Sequence, residues 1–257
     1  MEKIEILSVG IDGLSLQEIL EKIDRFINDK NKHYLVTVNP EFLVAAQKDK
    51  HFKEILNYAD IAIADGVGLV YAAKTLGQKL YRITGVDLVG FLCELAEQKK
   101  YPVFLLGGVD DTAQKTATVL KETFPAINIV GAENGGQVSP DCKSTSDSEL
   151  IEKINKAKPK ILLVAFGQVK QEKWIFNNLD KLNTVKIAIG VGGTFDYICG
   201  NVKRAPLTVR NFGLEWLYRL FKEPWRKKRI FNAVFYFLFL ILKQKIGKNN
   251  KKQENQN

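Results

Sequence analysis

The chain has 257 residues, of which 46% are hydrophobic and 26% charged, a composition that can bury the core of a large globular domain and excludes a disordered or fibrous protein. The net charge of +9 is unevenly spread, because residues 203–252 carry 14 Lys and Arg against 2 Glu and the remainder is slightly acidic. This asymmetry predicts an anionic partner for the C-terminal region, either a nucleic acid or a membrane surface.

Apolar runs alternate with amphipathic stretches from residue 4 to residue 189. The first residues lack the apolar stretch of a secretory signal, so we expect a cytoplasmic protein whose three cysteines are free thiols. Strands are predicted at residues 4–9, 34–38, 61–64, 103–106, 127–130, 161–166 and 185–189. Helices are predicted at residues 15–26, 41–57, 88–99, 112–123, 147–157 and 170–182.

This alternation predicts an α/β fold with an open, mainly parallel, Rossmann-like sheet and helices on both faces. Ser15 and Glu18 form a capping-box pattern at the start of the first helix. The alternation does not give the strand order. In such sheets ligands bind beyond the carboxyl ends of the strands, so the strand ends are the places to search for a site.

The C-terminal region changes in character beyond Gly200. The apolar run AVFYFLFLIL at 233–242 is ten residues long, whereas a membrane span needs about 20. Its flanking lysines and aromatic content predict a helix that lies in a membrane interface, and a core helix or a dimer contact is the alternative. We therefore divide the chain into a catalytic core at 1–200, a basic helical appendage at 201–247 and a disordered tail at 248–257.

Polar side chains follow two of the predicted strands. Asp65 comes directly after the run IAIA and before Gly66, where a carboxylate could take a proton from an attacking hydroxyl. The alternative is that Asp65 caps the next helix. Thr37 and Asn39 follow the neighbouring strand and offer a hydroxyl and an amide, and a turn set by Asn39 and Pro40 is the alternative for both.

Glycine pairs follow two further strands, at Gly107–Gly108 and at Gly192–Gly193. Such pairs let a phosphate approach backbone N–H groups, although turn geometry explains them equally well. Neither pair matches a dinucleotide fingerprint or a P-loop. No Asp-x-Asp pair occurs, so positively charged side chains rather than a metal ion would stabilise a diphosphate leaving group. Arg219, Arg226 and Arg229 are the candidates, with a solvated basic face as the alternative.

Seven stretches in order resemble the WecG/TagA/CpsF glycosyltransferases of bacterial envelope synthesis, and among them the N-acetylmannosaminyltransferases of wall teichoic acid linkage-unit synthesis. They are VTVNPEFLVAA (36–46), ADIAIADGVGLVYAA (59–73), RITGVDLV (82–89), FLLGG (104–108), AFGQVKQEKWI (165–175), IGVGGTFDYICGNVKRAP (189–206) and NFGLEWLYRLFKEPWRKKR (211–229). The resemblance implies transfer of N-acetylmannosamine from its UDP donor to N-acetylglucosaminyl-diphospho-undecaprenol, in a β-1,4 linkage with inversion.

The resemblance also implies roles for individual residues. Asp65 would be the general base with Thr37 beside it, and Asn39, Arg82 and Gln171 would hold the sugar and the uridine diphosphate. The three appendage arginines would close over the diphosphates, with no metal or cofactor. The appendage would dock on the anionic inner leaflet of the cell membrane, which makes the protein a peripheral one.

Several points stay open on the sequence alone. Val169 stands where the family pattern has proline, which puts the rigidity of the loop before Gln171 in question. The donor could be another UDP-sugar, such as the uronate of N-acetylmannosamine, glucose or galactose. A nucleotide-binding oxidoreductase lacks its fingerprint here, and a nucleic-acid binder is disfavoured by the apolar run. Self-association into a homo-oligomer is neither indicated nor excluded.

Overall fold

The computed structural model describes residues 3–136, 147–222 and 231–254. Eight strands are present in this part of the chain: β1 Ile4–Ile6, β2 Val9–Ile11, β3 His33–Val38, β4 Ile61–Ala64, β5 Val103–Gly107, β6 Ile129–Glu133, β7 Ile161–Ala165 and β8 Ile187–Gly190. Six of them form one sheet in the order β4-β3-β8-β7-β5-β6, and every neighbouring pair is parallel. The predicted α/β fold with a parallel sheet is confirmed.

Helices cover both faces of the sheet, as predicted. They are α1 Leu16–Asn28, α2 Pro40–Ala46, α3 Lys50–Tyr58, α4 Val67–Thr75, α5 Gly85–Lys99, α6 Thr112–Thr123, α7 Asp147–Ala157, α8 Lys170–Asn178, α9 Thr194–Ile198, α10 Leu207–Asn211, α11 Glu215–Lys222 and α12 Phe237–Glu254. One apolar layer joins the sheet to α1, α5, α6 and α9, and the other joins it to α2, α3, α4, α7, α8 and α12. The capping box of Ser15 and Glu18 opens α1.

Two local predictions were wrong. The strand predicted at residues 4–9 is the antiparallel hairpin β1–β2, because Leu7 and Ser8 both take left-handed backbone conformations that turn the chain (φ of 52° and 62°). The helix predicted at 41–57 is two helices, because the side chain of Asp49 accepts the Phe52 N–H and starts α3 anew. Both breaks depend on single residues that do not disturb the apolar periodicity.

The last helix packs on the core with one face and exposes the other. Phe237 and Ile241 are buried in the layer that holds α2, and the side chain of Gln244 accepts a hydrogen bond from the Leu7 N–H at 3.0 Å. The core-helix alternative therefore describes one face of this segment. The helix continues to Glu254, so residues 248–254 are helical here, although their composition predicts disorder. Within the described ranges, no helix has both the length and the apolarity needed to cross a bilayer.

Candidate active site

A cavity of about 470 Å³ lies at the carboxyl edge of the sheet, and we call it the strand-end cavity. Residues from the ends of all six parallel strands contribute to its wall, which explains why one edge of the sheet collects so many polar groups. Of the predicted site residues, the wall contains Thr37, Asn39, Asp65, Gly108, Gln171, Gly192 and Gly193.

Asp65 follows β4 directly and lies in the wall of the strand-end cavity. Its backbone N–H donates to the Val38 carbonyl at 2.7 Å, which fixes it against the end of β3. The N-cap residue of α4 is Gly66, with φ of +104°. The N-cap position is therefore occupied by Gly66 rather than by Asp65, which precedes the helix and lies in the cavity wall.

Thr37 and Asn39 lie at the end of the neighbouring strand. Thr37 is only 6% exposed, and its hydroxyl donates to the Gly190 carbonyl at 3.3 Å. Asn39 caps α2, because its side-chain oxygen accepts the Phe42 N–H at 3.1 Å with Pro40 in the first turn. Asn39 is thus a helix cap and Thr37 is part of β3, in place of the alternative turn, and both residues also line the cavity.

The glycine pair after β5 is required by the backbone. Gly107 has φ of +109°, and a Cβ there would lie 2.6 Å from the Ala165 carbonyl carbon. Gly108 has φ of +84°, and a Cβ there would lie 2.7 Å from Cβ of Thr112. Turn geometry is therefore sufficient to explain the pair, while Gly108 at the same time forms part of the cavity wall.

A buried pair of side chains holds the glycine loop after β8. Gln171 is 1% exposed; its side-chain oxygen accepts the Gly192 N–H at 2.9 Å, and its NH₂ donates to Glu172 at 2.7 Å. The other carboxyl oxygen of Glu172 accepts the Val169 N–H at 2.8 Å. Burial raises the pKa of Glu172 to about 8 despite these hydrogen bonds, so the carboxyl group is mainly protonated at neutral pH.

A second, mostly apolar cavity of about 300 Å³ adjoins the first, and we call it the apolar groove. Asn39, Glu41, Asp65 and Glu215 belong to the walls of both. Arg82 lines the groove rather than the strand-end cavity, and it donates to the Arg210 carbonyl at 2.9 Å and to the Glu215 carboxylate at 3.0 Å. The predicted substrate residue Arg82 thus also anchors α10 and α11.

A further arginine contacts the first turn of α5. Arg204 donates to Asp87 at 2.8 Å and to the hydroxyl of Thr84 at 2.9 Å. Although burial alone would raise the pKa of Asp87, the hydrogen bonds from Arg204 and Thr84 hold it below its usual value. Thr84 lines the strand-end cavity, so this contact joins the segment before α10 to the cavity wall.

Of the three appendage arginines, only Arg219 lies within the described residues. Arg219 lies on α11, the helix whose first two residues, Glu215 and Trp216, line the apolar groove. Its side chain is not among those described, and Arg226 and Arg229 lie outside the described residues. Their predicted contact with a diphosphate stays a prediction.

Sequence reasoning missed Glu172, Thr84, Arg204 and Glu215. Glu172 belongs to a Lys-Gln-Glu segment whose amphipathic pattern suggests an exposed acid, and nothing in the pattern indicates that it is buried. Arg204 and Glu215 meet their partners only through tertiary contacts. In the described part of the chain, no group of three His, Cys, Asp or Glu side chains is arranged to hold a metal ion.

The fold and the cavity define an open α/β protein with a polar cavity of about 470 Å³ at the carboxyl edge of a parallel sheet. The model of the WecG/TagA/CpsF family of glycosyl transferases matches residues 4–251, and the chain belongs to this family. The resemblance inferred from the seven stretches is confirmed, and neither a nucleic-acid-binding nor an oxidoreductase class is needed.

Several relatives of this chain share one name. A protein of Bacillus subtilis (strain 168), named N-acetylglucosaminyldiphosphoundecaprenol N-acetyl-beta-D-mannosaminyltransferase, is 35% identical over 90% of this chain and 87% of its own length. Proteins of the same name from Staphylococcus aureus strains MRSA252 and MW2 are each 30% identical over 95% of this chain and 93% of their own.

Proposed function

We propose that this protein transfers N-acetylmannosamine from UDP-N-acetylmannosamine to N-acetylglucosaminyl-diphospho-undecaprenol, forming a β-1,4 linkage in wall teichoic acid linkage-unit synthesis. The observation that carries the proposal is the position of Asp65, in the wall shared by the polar strand-end cavity and the apolar groove. A transferase that joins a water-soluble donor to a lipid acceptor needs its base at such a junction. The names of the relatives supply the lipid acceptor and the transferred sugar, and the UDP donor is what the family resemblance implies.

The donor would occupy the strand-end cavity. Its wall is formed largely by strand ends and by the glycine loop at Gly192–Gly193, where the absence of side chains would let a diphosphate lie close to the backbone. Gln171 fixes this loop through the Gly192 N–H. Thr37 and Asn39 line the same wall as Asp65 and would contact the sugar.

The proposed reaction is a single displacement with inversion. Asp65 takes the proton from the attacking hydroxyl of the acceptor sugar, and the oxygen forms a bond to the anomeric carbon of the donor. The bond from that carbon to the diphosphate breaks, and UDP leaves with the electron pair. Arg219, Arg226 and Arg229 would neutralise the charge that develops on the diphosphate, with no metal ion required.

We also propose that the protein binds peripherally to the inner face of the cell membrane. Large apolar side chains are exposed on the C-terminal segments, with Phe212 at 81%, Phe221 at 77% and Phe239 at 60% exposure. Residues 203–252 carry the excess of 12 positive charges, which favours an anionic surface. The aromatic side chains would enter the interface while lysines contact the headgroups.

A donor panel tests the proposal. The protein is incubated with a short-chain diphospho-N-acetylglucosamine acceptor and, separately, with UDP-N-acetylmannosamine, its uronate, UDP-glucose or UDP-galactose, and the glycosylated lipid is measured by mass spectrometry. We expect product from UDP-N-acetylmannosamine at a rate at least tenfold above the other donors, in line with the loss of one or more polar contacts. Product from another donor alone would keep the mechanism and replace the substrate, and no product from any donor would refute the proposal.

A further inference from the structure

The apolar groove has the composition of a lipid site but opens on the proposed base. Its wall combines Val67 and Tyr71 of α4 and Trp216 of α11 with Phe237 and Leu238 of α12. Tyr71 is 65% exposed and Leu238 is 47% exposed, so apolar surface faces solvent next to Asp65. Apolar surface of this kind is stabilised by an apolar ligand.

One end of the groove is polar, and Arg82 lies there beside the carboxylates of Glu41, Asp65 and Glu215. Arg82 lines it, and two of the guanidinium nitrogens bond to the Arg210 carbonyl and to Glu215. The third, Nε, is buried and finds no hydrogen-bond acceptor among the residues described. Burying a donor without an acceptor costs about 1–3 kcal/mol, so an anionic oxygen placed there would be stabilised.

We propose that the apolar groove is the acceptor subsite, and that it binds the diphosphate and the first isoprenoid units of the prenyl-linked sugar. The inference rests on the proposed function and deepens it by assigning the two substrates to two adjoining cavities. The acceptor sugar lies at Asp65, the diphosphate lies toward Arg82, and the isoprenoid chain lies on Tyr71, Trp216 and Leu238. The occupant is thus a polyprenyl diphosphate sugar, because its parts match the carboxylate, the cation and the apolar wall.

The same geometry explains why the groove is not a second donor site. A UDP-sugar is polar along its whole length, whereas most side chains of the groove beyond Asn39, Glu41, Asp65, Arg82 and Glu215 are apolar. The two cavities share the wall at Asp65, so an acceptor hydroxyl in the groove meets the anomeric carbon of a donor in the strand-end cavity across that residue. With separate subsites, the donor and the acceptor are bound at the same time, so neither has to leave before the other binds.

The test uses the full chain without vesicles and two soluble acceptors, N-acetylglucosaminyl diphosphate esterified with a farnesyl or with a methyl group. Leu238→Ser and Tyr71→Ser remove groove surface from exposed positions, so the fold is expected to survive. Leu242→Ser is the matched control, since Leu242 lies on the same helix, is 60% exposed and does not line the groove. KM for each acceptor and for the donor is measured for all four proteins.

We expect each groove variant to raise KM for the farnesyl acceptor by about tenfold, as the loss of one apolar contact surface implies. KM for the methyl acceptor and for the donor should stay within twofold of the unmodified protein, and Leu242→Ser should match that protein throughout. Equal effects of Leu238→Ser and Leu242→Ser, or equal effects on both acceptors, would overturn the groove assignment while leaving the proposed function intact. No transfer by the unmodified protein would refute both.

Binding without turnover gives a second readout. With the donor omitted, the farnesyl acceptor should change the fluorescence of Trp216, and the change should be lost in Trp216→Phe but kept when the buried Trp174 is the residue replaced by Phe. A signal unaffected by Trp216→Phe would contradict contact between the lipid and the groove.

Discussion

The strand-end cavity and the C-terminal segments differ in how their polar and apolar groups are used. At the strand-end cavity, Gln171 of the wall and the neighbouring Glu172 are almost completely buried and bonded to one another and to backbone. In the C-terminal segments, Phe212, Phe221 and Phe239 are largely exposed, whereas Phe237 and Ile241 of α12 are buried in the core. The side chains at the strand-end cavity are thus held in one arrangement, whereas the C-terminal segments leave apolar side chains exposed.

This difference follows from what each region would bind. A donor whose bond is broken must be held within a fraction of an ångström, and buried strand ends provide that precision. A polyprenyl lipid is long and flexible, and it is bound by apolar area more than by directional contacts. We therefore expect substitutions in the cavity wall to have large and specific effects, and substitutions in the C-terminal segments to have small and graded ones.

Among substitutions that perturb packing, the largest effect on stability and on UDP binding is expected for Gly190→Ala. A Cβ at residue 190 would collide with the side chains of Glu172 and Gln171, both of which are buried and cannot move aside. Overpacking of this kind costs about 1–3 kcal/mol of unfolding free energy and would displace Gln171 from the Gly192 N–H. Urea unfolding and calorimetric titration with UDP should show lower stability and at least tenfold weaker binding.

The control is Gly90→Ala, because a Cβ at residue 90 has nothing within 4 Å and the residue lies within α5. Alanine is favoured over glycine inside a helix by about 0.5–1 kcal/mol, so this variant should be slightly more stable than the unmodified protein. If Gly190→Ala behaved like Gly90→Ala, the account of a rigid cavity wall would be wrong.

A smaller effect on stability, one that depends on pH, is expected for Glu172→Gln. Its folded-state pKa of about 8 lies above the ordinary value of 4.5, so the folded protein binds the proton more tightly than the unfolded chain. The free energy of unfolding therefore contains a contribution from Glu172 that is complete below pH 4.5 and is lost as the pH rises toward 8. Glutamine does not titrate, so the variant should lack this decline.

At pH 5 the Glu172→Gln variant should also have a lower free energy of unfolding than the unmodified protein, in which Glu172 is protonated. Both carboxyl oxygens accept hydrogen bonds, from Gln171 and from the Val169 N–H, and an amide must turn its NH₂ toward one of these donors. The lost hydrogen bond costs about 1–3 kcal/mol. Urea unfolding from pH 5 to pH 8 measures both effects, with the exposed Glu54→Gln as the control. A decline in Glu172→Gln as steep as that of the unmodified protein would contradict the assignment.

An intermediate effect is expected where the two regions meet, at Arg82. Arg82→Ala removes the hydrogen bonds to the Arg210 carbonyl and to Glu215, so α10 and α11 should separate more readily from the core. Arg82→Lys keeps the charge but cannot make both bonds, and we expect it to restore little. Limited trypsin digestion should cut between residues 203 and 222 faster in both variants than in Arg25→Ala, whose arginine is remote from this contact.

A double-mutant cycle with Glu215→Gln separates the ion pair from the rest of the contact. Because both side chains remain partly exposed, at 23% and 15%, we expect a coupling energy of about 1 kcal/mol or less. Coupling indistinguishable from zero, together with unchanged digestion, would mean that Arg82 does not hold the appendage.

The smallest effect is expected for exposed aromatic residues of the C-terminal segments. Phe239→Ser should weaken sedimentation with anionic vesicles by about tenfold without changing transfer to a soluble acceptor, since Phe239 is exposed and lines neither cavity. Binding should also fall with increasing salt, and vesicles of zwitterionic lipid should bind less protein. Unchanged sedimentation of Phe239→Ser would argue against insertion of this helix into the interface.

The sequence predicted the part of the fold that depends on periodicity. Buried strands such as Ile161–Ala165 are continuous apolar runs, and the rule that ligands lie at carboxyl strand ends placed Thr37, Asp65 and Gly192 together. The division of 41–57 into two helices and the hairpin at Leu7–Ser8 depend on single residues with local hydrogen bonds or left-handed backbone. These do not change the spacing of apolar residues, so periodicity does not detect them.

The buried and paired side chains that hold the site in place could not be predicted from the sequence, for a different reason. Glu172 is adjacent to Gln171 and reads as a surface acid, yet it is wholly buried because α8 packs that side of the helix against β7 and β8. The pairing of Arg82 with Glu215 joins residues 133 positions apart. Such pairs depend on the relative position of helices, which a single sequence does not specify.

The most direct test of the central claim is transfer from UDP-N-acetylmannosamine to the farnesyl diphospho-N-acetylglucosamine acceptor in EDTA, comparing the unmodified protein with Asp65→Asn. General-base catalysis contributes about 10²–10⁴-fold, so the variant should lose activity on that scale while its affinity for UDP is unchanged. Activity of the unmodified protein should persist in EDTA. Full activity of Asp65→Asn, or loss of all transfer on chelation, would contradict a metal-free mechanism with Asp65 as the base.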